Sequence, residues 1–239
     1  LHTVTSSFVL AALFVVGVSA WYLLRGREKR MASKSIAVAS AFGFVFALVT
    51  AFTGDRSGAV IARTQPMKLA AMEALYEGSE GAPLTVVGVL QSEEKRSAGE
   101  TFHFRIDIPK LLSIMSFRDA EAYVAGINDL IEGNAGRGIL SAEEKIARGR
   151  AVVATLDRYR TARDGGDEGT MRQIEELFDP DTAQGGHFLR EYFAYFGYGY
   201  IDDVQQLVPN VPLLFYSFRV MVGAGCLFIL VLGLVWWYN

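Results

Sequence analysis

The chain has 239 residues, of which 51% are apolar and 21% are charged, and its formal net charge is −3. A net negative charge argues against a nucleic-acid partner, because binding to phosphates requires a basic surface. The single cysteine, Cys226, excludes an intrachain disulfide. The average apolar content is close to that of a globular protein, so the distribution of apolar residues along the chain carries more information.

Asp, Glu and Lys are absent from three apolar stretches of the sequence, at 3–24, 36–53 and 213–238. Together these stretches hold one Arg, Arg219. Each comes close to the length of about 20 apolar residues that a helix needs to cross a bilayer. A buried helix of a large soluble protein is the alternative, and it fits best the short middle stretch. We predict an all-α membrane protein with transmembrane helices at 1–24, 36–53 and 213–238, joined by loops 25–35 and 54–212.

The short loop 25–35 contains five Lys or Arg residues, and such loops stay in the cytoplasm. The basic cluster follows the first apolar stretch, whereas a signal peptide carries it in front. The long loop 54–212 is therefore expected on the outer side of the membrane. Trp21 and Trp236 fit interfacial positions at the inner side. Since the chain starts inside an apolar stretch without Met, we expect a fragment of a longer protein.

Two soft ligands are predicted at one depth in the membrane. His2 precedes Trp21 by about 28 Å of helix, and Met221 precedes Trp236 by about 22 Å, at 1.5 Å per residue. Both side chains should lie in the outer third of the membrane, where a His and a Met can form an axial pair for haem iron. Arg219 is a functional candidate because a charge inside a membrane is costly. An interfacial His and a packing Met remain the alternative.

The long loop is predicted to form an α+β domain. Its first half should contain a polar turn, a helix that starts at Pro66, and two strands, the second with alternate apolar residues half-buried. Its second half should contain two helices opened by capping boxes, and then flexible loop. The expected segments are the turn Gly54–Gly58, strands Leu84–Leu90 and Phe102–Ile108, helices from Ser141 to about Arg160 and from Thr170 to about Phe178, and loops Gly185–Gly186 and Tyr192–Tyr200.

Several stretches in this order resemble subunit I of the cytochrome bd quinol oxidases. They are His2-Thr3-Val4, the segment Gly54–Gly58, the segment Lys68–Glu73, the segment Phe104–Pro109 and the segment Pro212–Met221. Their order and spacing are similar to that family across essentially the whole chain.

The resemblance implies a role for each candidate residue. His2 and Met221 would ligate a low-spin haem b, with Arg219 beside it, and Lys68 and Glu73 would take part in quinol oxidation. The high-spin haem b and haem d are expected only in the complete subunit. The implied partners are membrane lipid, quinol, the missing helices of the same subunit, a second membrane subunit and small accessory subunits.

The function expected from this resemblance is quinol:oxygen oxidoreduction in the bacterial inner membrane, with the long loop on the periplasmic side. A membrane sensor with an extracytoplasmic ligand domain and no haem is the alternative, because it has the same topology. A membrane haem protein of the cytochrome b type is a second alternative, but such proteins usually use pairs of His ligands, and the apolar stretches here hold one His at most.

Overall fold

The computed structural model describes residues 1–97 and 99–239, and most of them are helical. Three helices are long and apolar enough to cross a membrane, which confirms the predicted fold class. In chain order the elements are α1 (His2–Leu24), α2 (Lys29–Thr64), α3 (Pro66–Glu73), β1 (Ser79–Glu80), β2 (Leu84–Leu90), α4 (Glu93–Ser97), β3 (Phe102–Ile108), α5 (Leu111–Phe117), β4 (Tyr123–Val124), α6 (Ile127–Glu132), a 3₁₀ turn at Ala135–Arg137, α7 (Ala142–Gly165), α8 (Glu168–Leu177), α9 (Ala183–Glu191), 3₁₀ segments at Phe193–Tyr200 and Val204–Leu207, and α10 (Val211–Tyr238).

The chain forms two compact units. Unit 1 contains the three long helices together with α3, α5 and the two-stranded sheet of β2 and β3. Unit 2 contains helices α6 to α9 and the 3₁₀ segments. The ranges are Leu1–Ala74, Glu80–Val124 and Asn210–Asn239 for unit 1, and Leu75–Ser79 and Ala125–Pro209 for unit 2.

Helices α1 and α10 of unit 1 both pack against α2, and both run antiparallel to it. The three helices come close together at Gly43, where an added Cβ would lie 2.6 Å from the Cβ of Ala12 and 3.1 Å from a methyl carbon of Leu232. At the far end of α10, Asn239 exchanges hydrogen bonds of 3.1 and 3.2 Å with Ser33. Gly43 therefore lets three helices meet at close range.

Helix α2 is longer than expected, and the predicted turn at Gly54–Gly58 is wrong. The helix begins at Lys29 and continues through Gly54 and Gly58 to Thr64. Each glycine inside a helix costs about 1 kcal/mol relative to Ala. Packing offsets this cost at Gly54, because the imidazole of His2 occupies the space that a Cβ would need.

Strands β2 and β3 have the predicted bounds and pair antiparallel, with Leu84 opposite Ile108 and Leu90 opposite Phe102. The expected half-buried apolar face of β3 is wrong. Phe104 and Ile106 are 57% and 52% exposed. Ile108 of the same predicted face is also exposed, at 45%.

Two caps of unit 2 explain where its helices begin. The Ser141 hydroxyl accepts a hydrogen bond from the Glu144 amide, as predicted, and α7 continues past Arg160 to Gly165. Helix α8 ends where expected, but it is capped by Asp167 and not by Thr170. The side chain of Asp167 accepts from the Thr170 amide at 3.1 Å, because a carboxylate caps a helix at least as well as a hydroxyl.

The glycine-rich stretches of unit 2 are ordered, which corrects the prediction of flexible loop. Gly185 and Gly186 belong to α9, and a Cβ at Gly185 would lie 2.0 Å from the Asp179 carbonyl oxygen. A Cβ at Gly149 of α7 would lie 2.4 Å from the backbone nitrogen of Gly199. These glycines allow two backbones to approach closely, and that is why they occur in regular elements.

Candidate functional site

A buried ion pair joins α3 to α10. An Arg219 guanidinium nitrogen donates to a Glu73 carboxylate oxygen at 2.8 Å, and the two side chains are 13% and 3% exposed. The local sequence explains the position of Glu73. Pro66 opens α3, and the left-handed backbone of Ala74 ends the helix directly after Glu73. The buried residues Ala70 and Ala71 place this short helix deep in unit 1.

Arg219 has further partners that hold its guanidinium in one position. It donates to the carbonyl oxygens of Met72 at 2.7 Å, Thr85 at 2.8 Å and Phe215 at 3.2 Å. Its central carbon lies 3.5 Å from the centre of the Phe215 ring. Its Nε atom is buried and has no hydrogen-bond partner in residues 1–97 and 99–239. The arginine thus connects α3, β2 and α10, and keeps one N–H group available.

The carboxyl group of Glu73 has an unusual proton affinity. Burial raises its pKa from an ordinary 4.5 to about 7, and the charge and hydrogen bond of Arg219 offset only part of this rise. A carboxyl group with this pKa can both accept and release a proton near neutral pH.

Lys68 and Glu73 are not brought together by α3. Lys68 is exposed, whereas Glu73 is buried and paired with Arg219. Because five positions separate Lys68 and Glu73, about 140° around a helix, the sequence allows either a separate partner for each or different walls of one pocket. The structure gives Glu73 its own partner, and the two side chains lie on different faces of α3, as their spacing requires.

His2 lies against the turn of α2 that contains Thr50, Thr53 and Gly54. Its Nδ1 atom is 3.1 Å from the Thr50 carbonyl oxygen and 3.2 Å from the Thr53 hydroxyl. A Cβ on Gly54 would lie 3.1 Å from the imidazole Cε1 atom. The position of the ring is therefore defined by three neighbouring residues of one helix.

The helix registers bring His2 and Met221 to similar depths. Ala12 and Leu232 both meet α2 at Gly43. From there, His2 is 10 residues along α1, Met221 is 11 residues along α10, and Gly54 is 11 residues along α2, all towards the same end. These distances amount to about 15 Å and about 16 Å. Met221 is 55% exposed, so its thioether lies on an open face of α10.

Several residues of this site cannot be identified from sequence motifs. No sequence motif marks the backbone carbonyl groups of Met72 and Thr85, because every residue has a carbonyl group. Thr50 and Thr53 stand out in the sequence only as polar residues in an apolar helix, and their spacing of three is the one signal that they share a helix face.

Comparison with known proteins gives three similarities. The chain is 32% identical over 237 residues to cytochrome bd-II ubiquinol oxidase subunit 1 of Escherichia coli, covering 97% of this chain and 43% of that protein. It is 28% identical over 130 residues to cytochrome bd ubiquinol oxidase subunit 1 of Bacillus subtilis, covering 54% of this chain and 27% of that protein. A solved bd oxidase from Geobacillus thermodenitrificans aligns with a TM-score of 0.49 and 22% identity, over 97% of this chain and 56% of that one.

The chain thus spans less than half the length of these two relatives. The sequence profile described as cytochrome bd terminal oxidase subunit I matches residues 1–239. A membrane sensor and an unrelated cytochrome b are different classes of protein, so neither alternative agrees with this match. The chain belongs to the family of cytochrome bd terminal oxidase subunit I.

Proposed function

We propose that this chain is the part of a quinol:oxygen oxidoreductase that oxidises quinol and receives its electrons. The observation that carries the proposal is the buried pair of Glu73 and Arg219. This ion pair connects a carboxyl group with a pKa of about 7 to α10. The same helix carries Met221, two residues after Arg219. A proton acceptor and an electron acceptor are both needed where a quinol is oxidised.

Oxidation of a quinol to a quinone releases two protons and two electrons. Glu73 accepts a proton in this proposal, because burial raises the pKa of its carboxyl group to about 7, close to neutral pH. Lys68, exposed on another face of α3, binds or polarises a quinol oxygen through its ammonium group. The two residues act on different oxygens or at different stages, since they do not share one face of the helix.

The residues present suit a low-spin haem b. His2 and Met221 would hold it, and a haem held by a His and a Met would supply single-electron transfer. His2 has an Nδ1 atom that is engaged with α2, and Met221 has an exposed thioether. The buried Nε–H group of Arg219 is available to donate to a haem propionate. High-spin haem b and haem d belong to the parts of the subunit outside this chain.

The proposed location is the bacterial inner membrane, with the long loop on the periplasmic side. The five basic residues of the segment 25–35, which follows α1 and includes the start of α2, support this orientation. The proposed partners are lipid, quinol, the remaining helices of the subunit, a second membrane subunit and small accessory subunits. The exposed apolar residues of α1 and α10 support contacts with lipid and further helices.

The quinol site is tested with Glu73→Gln in the full subunit within its complex. This change keeps the shape of the side chain and removes its charge, so quinol-dependent O₂ consumption should fall by about 10²–10⁴-fold, the usual contribution of a general base. The haem absorption spectrum should stay unchanged. Glu132→Gln, an exposed position of unit 2, is the control. Unchanged turnover in Glu73→Gln would exclude Glu73 from the reaction.

The haem ligands are tested separately with His2→Ala and Met221→Leu. Each should remove the low-spin haem absorption bands, because a ligand is lost in each case. His187→Ala and Met171→Leu, both in unit 2, are the matched controls. A normal low-spin spectrum in either ligand variant would show that the residue does not bind the iron.

A further inference from the structure

One turn of α2 holds the His2 ring through a carbonyl group, a hydroxyl group and a glycine. We call Thr50, Thr53 and Gly54 the imidazole seat. The Nδ1 atom of His2 is 3.1 Å from the Thr50 carbonyl oxygen and 3.2 Å from Thr53 Oγ1. The glycine leaves room for the ring, because an added Cβ would lie 3.1 Å from its Cε1 atom.

The seat determines which nitrogen of a neutral imidazole carries the proton. A carbonyl oxygen can only accept, so the contact with Thr50 requires an N–H group at Nδ1. The Thr53 hydroxyl donates to the same carbonyl oxygen at 3.1 Å, and it therefore offers a lone pair to the Nδ1–H group. Nε2 is left with a free lone pair, which is the form of imidazole that binds a metal.

We propose that Thr53 and Gly54 are positioning residues that set the orientation and the donor strength of His2 towards haem iron. This inference rests on the proposed function, in which His2 is a ligand. A histidine ligand usually donates its second N–H group to a carbonyl or carboxylate oxygen, and this bond orients the ring and makes it a stronger base. Here two acceptors, the Thr50 carbonyl and the Thr53 hydroxyl, share that N–H group.

The direction of the expected change in reduction potential follows from the electron density on the His2 ring. Acceptors at Nδ1–H move electron density towards Nε2, and a stronger donor stabilises oxidised iron more than reduced iron. Thr53→Val removes one acceptor at nearly constant volume, so the low-spin haem should become easier to reduce. We expect a change of up to tenfold in the reduction equilibrium, or about 59 mV for one electron. Thr53→Ser keeps the hydroxyl and should restore the original potential.

Gly54→Ala tests the steric part of the seat. The new Cβ would lie 3.1 Å from the imidazole Cε1 atom, so the ring must move by a few tenths of an ångström, which disturbs its contacts with Thr50 and Thr53. Loss of such a supporting contact typically weakens metal binding by about 10–100-fold. The amount of low-spin haem per assembled subunit should therefore fall, and the spectrum of the remaining haem should broaden.

The experiment uses the full subunit in its complex, with absorption spectra and a potentiometric titration of the low-spin haem. Ser57→Ala is the control, because the Ser57 hydroxyl is one turn further along α2 and donates to the backbone carbonyl of Thr53. If Thr53→Val lowers the amount of assembled protein, Thr53→Ala removes the same oxygen and is judged by the same readings.

The outcomes separate this inference from the proposed function. A raised potential in Thr53→Val and a normal one in Thr53→Ser and Ser57→Ala support the seat. Wild-type potential in Thr53→Val, together with wild-type haem content in Gly54→Ala, would overturn it. If His2→Ala keeps the low-spin spectrum, the ligand assignment itself fails. If His2→Ala loses the spectrum and the seat variants are normal, only the seat is wrong.

Discussion

Glu73 and Arg219 are two buried charges that depend on each other for stability. Removing one partner of such a pair leaves an uncompensated charge, which typically costs about 3–5 kcal/mol. The Glu73 side chain is 3% exposed and that of Arg219 is 13% exposed, so water solvates neither charge well. Breaking the pair is consequently costly, although its net contribution to the free energy of unfolding is smaller than this cost.

Arg219→Leu should destabilise the folded chain by about 3–5 kcal/mol. Part of this loss should be recovered by adding Glu73→Gln, because the double variant buries no unpaired charge. Thermal unfolding of the four proteins in detergent measures the coupling. Arg172→Leu is the control, since its pair with Glu168 is 76% and 79% exposed. Additive losses in the double variant would contradict the coupling.

The raised pKa of Glu73 predicts a pH-dependent stability. Between about pH 4.5 and 7 the folded chain holds a proton that the unfolded chain has already released. Glu73 therefore stabilises the fold most at low pH, and this contribution is lost as the pH rises through 7. The difference in unfolding temperature between wild type and Glu73→Gln should change across this interval. A constant difference would argue against a raised pKa.

At the level of elements, the hairpin of β2 and β3 is attached to α10 at two points. Arg219 donates to the Thr85 carbonyl, and the Leu90 amide donates to the Tyr216 hydroxyl at 3.1 Å. The rings of Phe102 and Phe215 pack at 5.5 Å between centroids. The hairpin thus supplies a carbonyl group that helps to hold Arg219, the ion-pair partner of Glu73.

Tyr216→Phe should loosen this attachment without disturbing α10. The change leaves the buried Leu90 amide without an acceptor, which costs about 1–3 kcal/mol. Hydrogen exchange at the amides of β2 should become faster. Tyr238→Phe at the exposed end of the same helix should have no effect. Equal exchange rates in β2 for both variants would show that the hydroxyl is not a structural contact.

Elements with a strong local signal were predictable, and those that depend on close packing were not. Alternating residues predicted β3, a short apolar run predicted β2, and Ser141 predicted the start of α7. Gly54 and Gly185 were interpreted as breaks, since glycine usually interrupts helices. Both lie inside helices because another group fills the space beside them, and the sequence near each glycine does not contain that information.

For the molecule as a whole, the sequence identified single residues of the candidate site but not the hydrogen bonds that join them. Arg219 and His2 were singled out from their types and positions, and Glu73 from the resemblance to subunit I. The direct bond between Glu73 and Arg219 joins residues 146 positions apart, so no local pattern can predict it. The exposed apolar face of β3 was missed for a similar reason, because alternation identifies a face but not what covers it.

The orientation of the whole chain can be tested with cysteine labelling. In a Cys226→Ser background, Met31→Cys should react with a membrane-impermeant maleimide only after the cells are permeabilised. Glu143→Cys, in unit 2, should react in intact cells. This expectation follows from the basic loop, which favours the cytoplasm. The reverse pattern would place the long loop inside, and the quinol site with it.

The contact at Gly43 has a consequence far from the middle of the membrane. Helices α1 and α10 both pack against the α-carbon of Gly43. A methyl group at this position would therefore push both helices away from α2. The tilt would spread His2 and Met221 apart, about 15 Å away. We expect Gly43→Ala to reduce the amount of low-spin haem held by the two proposed ligands, whereas Gly17→Ala, whose added Cβ meets no described atom within 4 Å, should leave it unchanged.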